Sequence, residues 1–358
     1  MGLFFIMSAL MVWLMQLLIG TWFKVSFGLP SWLMPVKILP LLFTAAFLFA
    51  LRYTHTHWEG VVAGDLYHFA YIFLGVVFIA FAVSAAFLAI YGILKPLHAP
   101  VAWMGKTSVY VMLVLIGLAV WGGHSAPKIK HIAVKSAQLP KMKIAVLSDS
   151  HLGMGVSLER FNEALERLEA EHPDILLVLG DVFEFGPNRD EYAVRLASVV
   201  TPLGAYGVLG NHEYYVGYGD SKKFFKDAHI TLLENENIKL PNGVQIAGLR
   251  DILTARLAPQ EVQEVLKGVD TSSGAILLSH TPLYAEEAAA KGFDLMLSGH
   301  THNGQIWPFN YLVKMNFPYI YGLYNVEGMP FYVTSGMFFW GPPLRLFAPS
   351  EIPIIEVN

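Results

Sequence analysis

Gly299-His300-Thr301-His302-Asn303-Gly304-Gln305 follows an apolar run, Phe293-Asp294-Leu295-Met296-Leu297-Ser298, that reads as a strand buried inside a sheet. Two imidazoles one residue apart, just past a strand end and flanked by glycines, can both turn into one cleft while the backbone comes close. Histidine in that setting is the usual ligand for zinc, manganese or iron. Taken alone, a His-x-His on a turn is equally a pair of surface histidines. The remaining loops of the chain decide between the two.

Working outward, the same layout recurs. Residues 143–148 (Lys-Ile-Ala-Val-Leu-Ser) read as a buried strand ending in Asp149-Ser150-His151. Residues 175–179 read as another, running into Gly180-Asp181, and residues 205–209 as a third, running into Gly210-Asn211-His212-Glu213. Residues 275–278 end in Ser279-His280. Between them, residues 158–171 carry Leu158, Phe161, Ala164, Leu165 and Leu168 on one helical face, and helices are also expected over 191–200 and 259–267. Strands over 230–240 and 244–248 flank an Asn242-Gly243 turn, a hairpin signal. Alternating strands and helices predict an α/β layered fold, whose sites form where strands end. Asp149, His151, Asp181, Asn211, His212, His280, His300 and His302 all occupy such ends, on five loops.

The other third of the chain is of a different kind. Hydrophobic residues make up 54% of 358, and mean hydropathy is +0.48, which points to membrane spans. Up to Pro127 the only formally charged side chains are Lys24, Lys37, Arg52, Glu59, Asp65, Lys95 and Lys106. The long apolar blocks between them predict about four transmembrane helices. The weakest is the second, which contains Pro40 and needs Lys37 to snorkel. The first block has no basic leader and is too long for a signal peptide, so it is expected to remain. Lys and Arg divide four against four across the loops, so orientation is undetermined. His55, His57 and His68 read as interfacial or packed residues, and His172 and His229 as turn residues. A net charge of −4 argues against nucleic acid as a partner, and the absence of cysteine excludes disulfides and thiolate metal sites. Residues 1–125 are thus read as the transmembrane region. Residues 126–142 form a juxtamembrane linker or first edge strand, and residues 143–358 the α/β domain.

In order and spacing, Asp149-x-His151, Gly180-Asp181, Gly210-Asn211-His212-Glu213, His280 and Gly299-His300-x-His302 resemble the calcineurin-like metallophosphoesterases. The ending, Ser335-Gly336 through Pro343-x-Arg345 to Glu351-Ile352, resembles the membrane-linked members. The multi-span N-terminal region is similar to the transmembrane proteins with a metallophosphoesterase domain. The resemblance implies an N-terminal transmembrane helical bundle followed by a layered α/β metallophosphoesterase sandwich. It implies two divalent metal ions (Mn, Fe or Zn), one on Asp149, His151, Asp181 and His302 and the other on Asp181, Asn211, His280 and His300. Asp181 would then bridge ions about 3.5–4 Å apart, and the pair would activate water as hydroxide. His212 takes the role of general acid toward the leaving group. Glu213 is expected either to orient an imidazole or to be a surface carboxylate. Glu184 departs from the Asp or Asn common in relatives three residues after the bridging carboxylate.

The function expected on this basis is a membrane-anchored phosphoesterase, a phosphodiesterase or phosphomonoesterase. Its expected partners are membrane lipids and a phosphoester substrate that includes lipid-linked esters. Competing readings are a catalytically silent membrane scaffold or sensor and a transporter with a regulatory domain; the spans lack the internal charges that transport suggests. The aromatic run at residues 337–343, with Tyr319-Ile320-Tyr321, reads either as cover for the sheet edge inside the domain or, through Phe338, Phe339 and Trp340, as a rim beside the metal site.

Overall fold

The computed structural model describes residues 2–29, 35–56, 61–97 and 101–358, so that His57 lies outside the described residues. It divides into two units: one of Met1–His124 with Ile306–Pro308 and Gly341–Phe347, the other of the remaining chain.

The first unit is helical. Helices span Gly2–Phe27, Pro35–Thr56, Val61–Leu94 and Ala102–His124. Among the described residues three of them, over Ile6–Phe27, Val62–Leu94 and Ala102–His124, are long and apolar enough to cross a bilayer. Within the second, which contains Pro40, the described residues give a shorter apolar stretch, Pro40–Ala50. Small clusters hold the helices together, such as Trp22, Val83, Met104 and Met112, with the Trp22 indole donating to Ser108 Oγ at 2.8 Å. Gly122 and Gly123 lie so close to the backbone of Arg345 and Pro343 that a Cβ on either would overlap it. The Arg345 N–H donates to the Ala119 carbonyl at 2.9 Å. Segment Gly341–Phe347 is therefore part of this unit by direct backbone packing on the last helix.

The second unit contains two six-stranded sheets. From edge to edge the first runs Lys128–Val134, Glu351–Val357, Met142–Leu147, Ile175–Val178, Ala205–Gly207, Thr231–Leu232. The second runs Gly322–Val326, Met329–Val333, Leu295–Ser298, Ala275–Leu278, Gln245–Gly248, Glu236–Lys239. The central strands of both are parallel and buried on both faces, as their unbroken Val, Ile and Leu runs predict. A core of Ile144, Val146, Leu177, Ile246, Ile276 and Leu297 unites side chains of both sheets. Helices Leu158–Glu169 and Arg189–Ala197 share a core with the first sheet, and Pro259–Lys267 and Ala285–Ala290 with the second. Ser157 caps the first of these helices, accepting from the Arg160 N–H at 3.2 Å.

Of the two readings of residues 126–142, Lys128–Val134 takes that of a first edge strand, paired in parallel with Glu351–Val357. One boundary differs from expectation. Residues 230–240 are two strands, and the second, Glu236–Lys239, forms the antiparallel hairpin with Gln245–Gly248 around the Asn-Gly turn.

Candidate metal centre and active site

Five parallel strands, three from the first sheet and two from the second, end at one place, and the polar residues that follow them converge there. The loops approach closely because glycines precede the ligands. A Cβ on Gly210 would overlap Asp181 and His280, and one on Gly299 would overlap Ser148 and Asp149. Asp149, His151, Asp181, His300 and His302 all have φ between 42° and 71°. Left-handed backbone at a non-glycine residue costs of order 1–3 kcal/mol and gathers at functional sites. The turns are held in part by the Asp149 N–H to the Gly180 carbonyl at 3.1 Å and the His151 N–H to Asp181 O at 3.0 Å.

The side chains form overlapping groups. Asp149, His151 and His302 place their candidate ligand atoms within 4.8 Å of one another, as do Asp181, His280 and His300. Nε2 of His151 lies 2.9 Å from Nε2 of His302, which is 3.4 Å from Asp149 Oδ1. In the other group Asn211 Oδ1 lies 2.9 Å from His300 Nδ1 and 3.2 Å from His280 Nε2, and Asp181 Oδ2 is 3.3 Å from His280 Nε2. Asp181 reaches the first group too, with Oδ2 3.9 Å from His151 Nε2. His212 forms a third group with His151 and Asp181. All eight residues named from the sequence thus stand in one cluster.

The electrostatics fit a cation. Burial alone would lower the His280 imidazole, but the Asp181 and Asp149 carboxylates hold its pKa well above the ordinary value. Burial alone would raise Asp181, but the surrounding histidines pull it down. His212 would likewise fall on burial, yet Asp181 and Glu184 push it up to about 9. Buried nitrogens held protonated by carboxylates are places where a divalent cation can replace the proton. An all-nitrogen-and-oxygen donor set suits manganese, iron or zinc.

A model of the family described as calcineurin-like phosphoesterase matches residues 142–304. An uncharacterized metallophosphoesterase of Campylobacter jejuni is 35% identical over 250 residues, 68% of this chain and 67% of that one. Another, of Aquifex aeolicus, is 36% identical over 240 residues, covering 64% of this chain and 92% of that one. The chain belongs to the calcineurin-like phosphoesterase family. A Danio rerio protein called transmembrane protein with metallophosphoesterase domain is 31% identical over 278 residues, 71% of this chain and 63% of that one.

In this phosphoesterase the residues behind the cluster differ from expectation. Among the described residues no imidazole is hydrogen-bonded to Glu213. It is buried, and its two oxygens accept from the backbone N–H groups of Asp181 (2.9 Å), Gly210 (2.7 Å) and Val182 (2.7 Å). The carboxylate that does orient imidazoles is Glu184, whose Oε1 lies 2.7 Å from His151 Nδ1 and 2.9 Å from His212 Nδ1. Burial would raise the Glu184 pKa, but His212 and His151 bring it below the usual range. Asp251 is buried and accepts from Thr281 Oγ1 at 2.6 Å, bracing the residue after His280. Its only sequence signal was its place after the strand Gln245–Gly248.

The structure divides the aromatic run between its two readings. Phe338 is 0% and Phe339 3% exposed, and both belong to the core shared by the first sheet and its helices. The Tyr319 hydroxyl donates to Glu286 and that of Tyr321 to Glu351. Trp340 alone is open, at 46% exposure, with its ring 5.7 Å from His212 and edge-on to it. Tyr215, also exposed, packs against the same imidazole at 5.4 Å. A reciprocal amide pair, the Trp340 N–H to Gln305 Oε1 and Gln305 Nε2 to the Trp340 carbonyl, both at 2.9 Å, ties Trp340 to the loop that carries His302.

Proposed function

We propose that this protein is a multi-pass membrane-anchored phosphoesterase working with two divalent ions, one on Asp149, His151, Asp181 and His302 and one on Asp181, Asn211, His280 and His300. The observation that carries the reading is the position of Asp181, within reach of donor nitrogens of both histidine groups. Divalent ions held there would lower the pKa of water and neutralise phosphoryl charge. Asn211 adds an oxygen without cancelling that charge.

The chain's own residues account for the other half of the reaction. Water attacks phosphorus, the bond from phosphorus to the leaving oxygen breaks, and that oxygen needs a proton. His212 supplies it: Glu184 engages Nδ1 and leaves Nε2 as the donating atom. The His212 N–H donates to Asp181 Oδ1 at 2.8 Å, which fixes the acid relative to the shared carboxylate. Tyr215 and Trp340 both pack against the imidazole, and an apolar or planar leaving group reaching His212 would meet them.

An amphiphilic or lipid-linked phosphoester suits both that aromatic lining and the membrane-length helices. The reading is tested by assaying purified full-length protein in parallel on a soluble monoester, a soluble diester and a phosphoester embedded in vesicles. Metal-dependent hydrolysis, highest on the embedded ester, is expected. No hydrolysis of any of the three across Mn, Fe and Zn would support the catalytically silent scaffold instead.

A further inference from the structure

Helix Phe309–Asn316 departs from the pattern of the other helices in its unit. Amphipathic helices of a soluble domain turn their apolar face to the core, as Leu158–Glu169 does with Phe161, Ala164, Leu165 and Leu168. Phe309–Asn316 buries none of its residues. Phe309 (44% exposed), Tyr311 (61%), Leu312 (53%) and Met315 (81%) are all open. At helical spacing these four fall within an arc of roughly 160°, shared only with Asn316; Asn310, Val313 and Lys314 occupy the remainder. The apolar face is turned outward.

The helix is also joined to the site at both ends. At its start, Gly304 of the His300–His302 loop lies so near the backbone of Asn310 that any Cβ there would displace the helix. Just past its end, the Phe317 ring stands edge-on to His300 at 5.2 Å. Immediately before it, Ile306–Pro308 belong to the helical unit, and Trp307 is exposed too. An open aromatic and aliphatic face, continuous in sequence with a segment grouped with membrane-length helices, has the composition of an interfacial element. Such helices sink about 5–10 Å into the headgroup and acyl boundary.

We infer that Phe309–Asn316 is a bilayer-docking helix, occupied on its open face by lipid, which holds the His300–His302 loop at headgroup level. The inference rests on the membrane reading of the helical unit and not on hydrolysis of any ester. The absence of cysteine makes the test direct, because a single introduced cysteine is the only labelling site. Leu312→Cys, Met315→Cys and, from the polar side, Lys314→Cys are each made in the full-length protein, labelled with a nitroxide and reconstituted in phosphatidylcholine vesicles. Collision with oxygen and with a water-soluble nickel chelate is then measured by electron paramagnetic resonance. Labels at 312 and 315 are expected to meet oxygen readily and to be shielded from nickel several-fold more than the label at 314. Equal nickel access at all three positions would overturn the inference, leaving a solvated helix. Shielding from both reagents at 312 and 315 would overturn it too, because the face would then be covered by protein, a second copy or another partner. Circular dichroism of each variant separates these outcomes from misfolding. Leu312→Ser, with the label kept at 315, repeats the reading where Leu312→Cys does not fold.

Discussion

Residues 181–184 and residues 210–213 each end in a buried glutamate beside the same imidazole cluster, and the two do different work. Glu184 spends its carboxylate on side chains, the Nδ1 atoms of His151 and His212. Glu213 spends its carboxylate on backbone, three N–H groups from two loops. One glutamate holds the rings proposed here for metal binding and proton donation; the other fixes where the loops stand. A carboxylate next to a site therefore cannot be assigned from proximity in sequence. Glu213 follows His212 directly and is not hydrogen-bonded to its ring, whereas Glu184 reaches it from another loop.

The largest effect should come from the ring that Glu184 aims. His212→Ala is expected to lower kcat by about 10²–10⁴-fold on an ester with a poor leaving group, and much less on an activated aryl phosphate. Bound metal should stay near the parent level. Equal losses on both substrates would leave His212 an electrostatic role only and weaken the distinction between the two glutamates.

Glu213→Ala should act through stability. Stranding three buried N–H groups costs about 3 kcal/mol or more, a fall in Tm of roughly 6–12 °C for a domain of this size. Differential scanning calorimetry reads it. A variant that kept its Tm and lost only turnover would make Glu213 an active-site group after all.

Glu184→Gln retains volume but weakens both imidazole contacts. Activity or metal affinity should drop about 10–100-fold with Tm nearly unchanged, the mirror image of Glu213→Ala. The smallest effect is expected at Trp340→Ala: a KM about fivefold higher for an apolar leaving group, from one lost aromatic contact of about 1 kcal/mol, with kcat held. A matching rise for a small hydrophilic ester would remove Trp340 from leaving-group recognition.

The sequence carried the site's ligand candidates because they follow unbroken apolar strands, and parallel strands bring their C-terminal ends together. Asp149, His151, Asp181, Asn211, His280, His300 and His302 were legible for that reason. The supporting groups were less so. Glu184 stood out only as a departure from relatives, and the role of Glu213 was hidden because acceptance from backbone N–H leaves no residue pattern. Phe338 and Phe339 stayed between core and rim because a short aromatic run has the same composition in either. The pairing of Lys128–Val134 with Glu351–Val357 joins segments at opposite ends of the second unit, and no local signal names the partner of that edge strand. Helix Phe309–Asn316 escaped notice because apolar spacing reports a face without saying what covers it.

The central claim is a two-ion site built on Asp181, and counting metal tests it most directly. Full-length protein and Asp181→Asn are purified in parallel, their Mn, Fe and Zn measured by inductively coupled plasma mass spectrometry, and diester hydrolysis assayed on the same samples. The account predicts two ions per chain in the parent protein, and a loss of metal and hydrolysis together in the variant. Two ions and near-normal turnover in Asp181→Asn would contradict it.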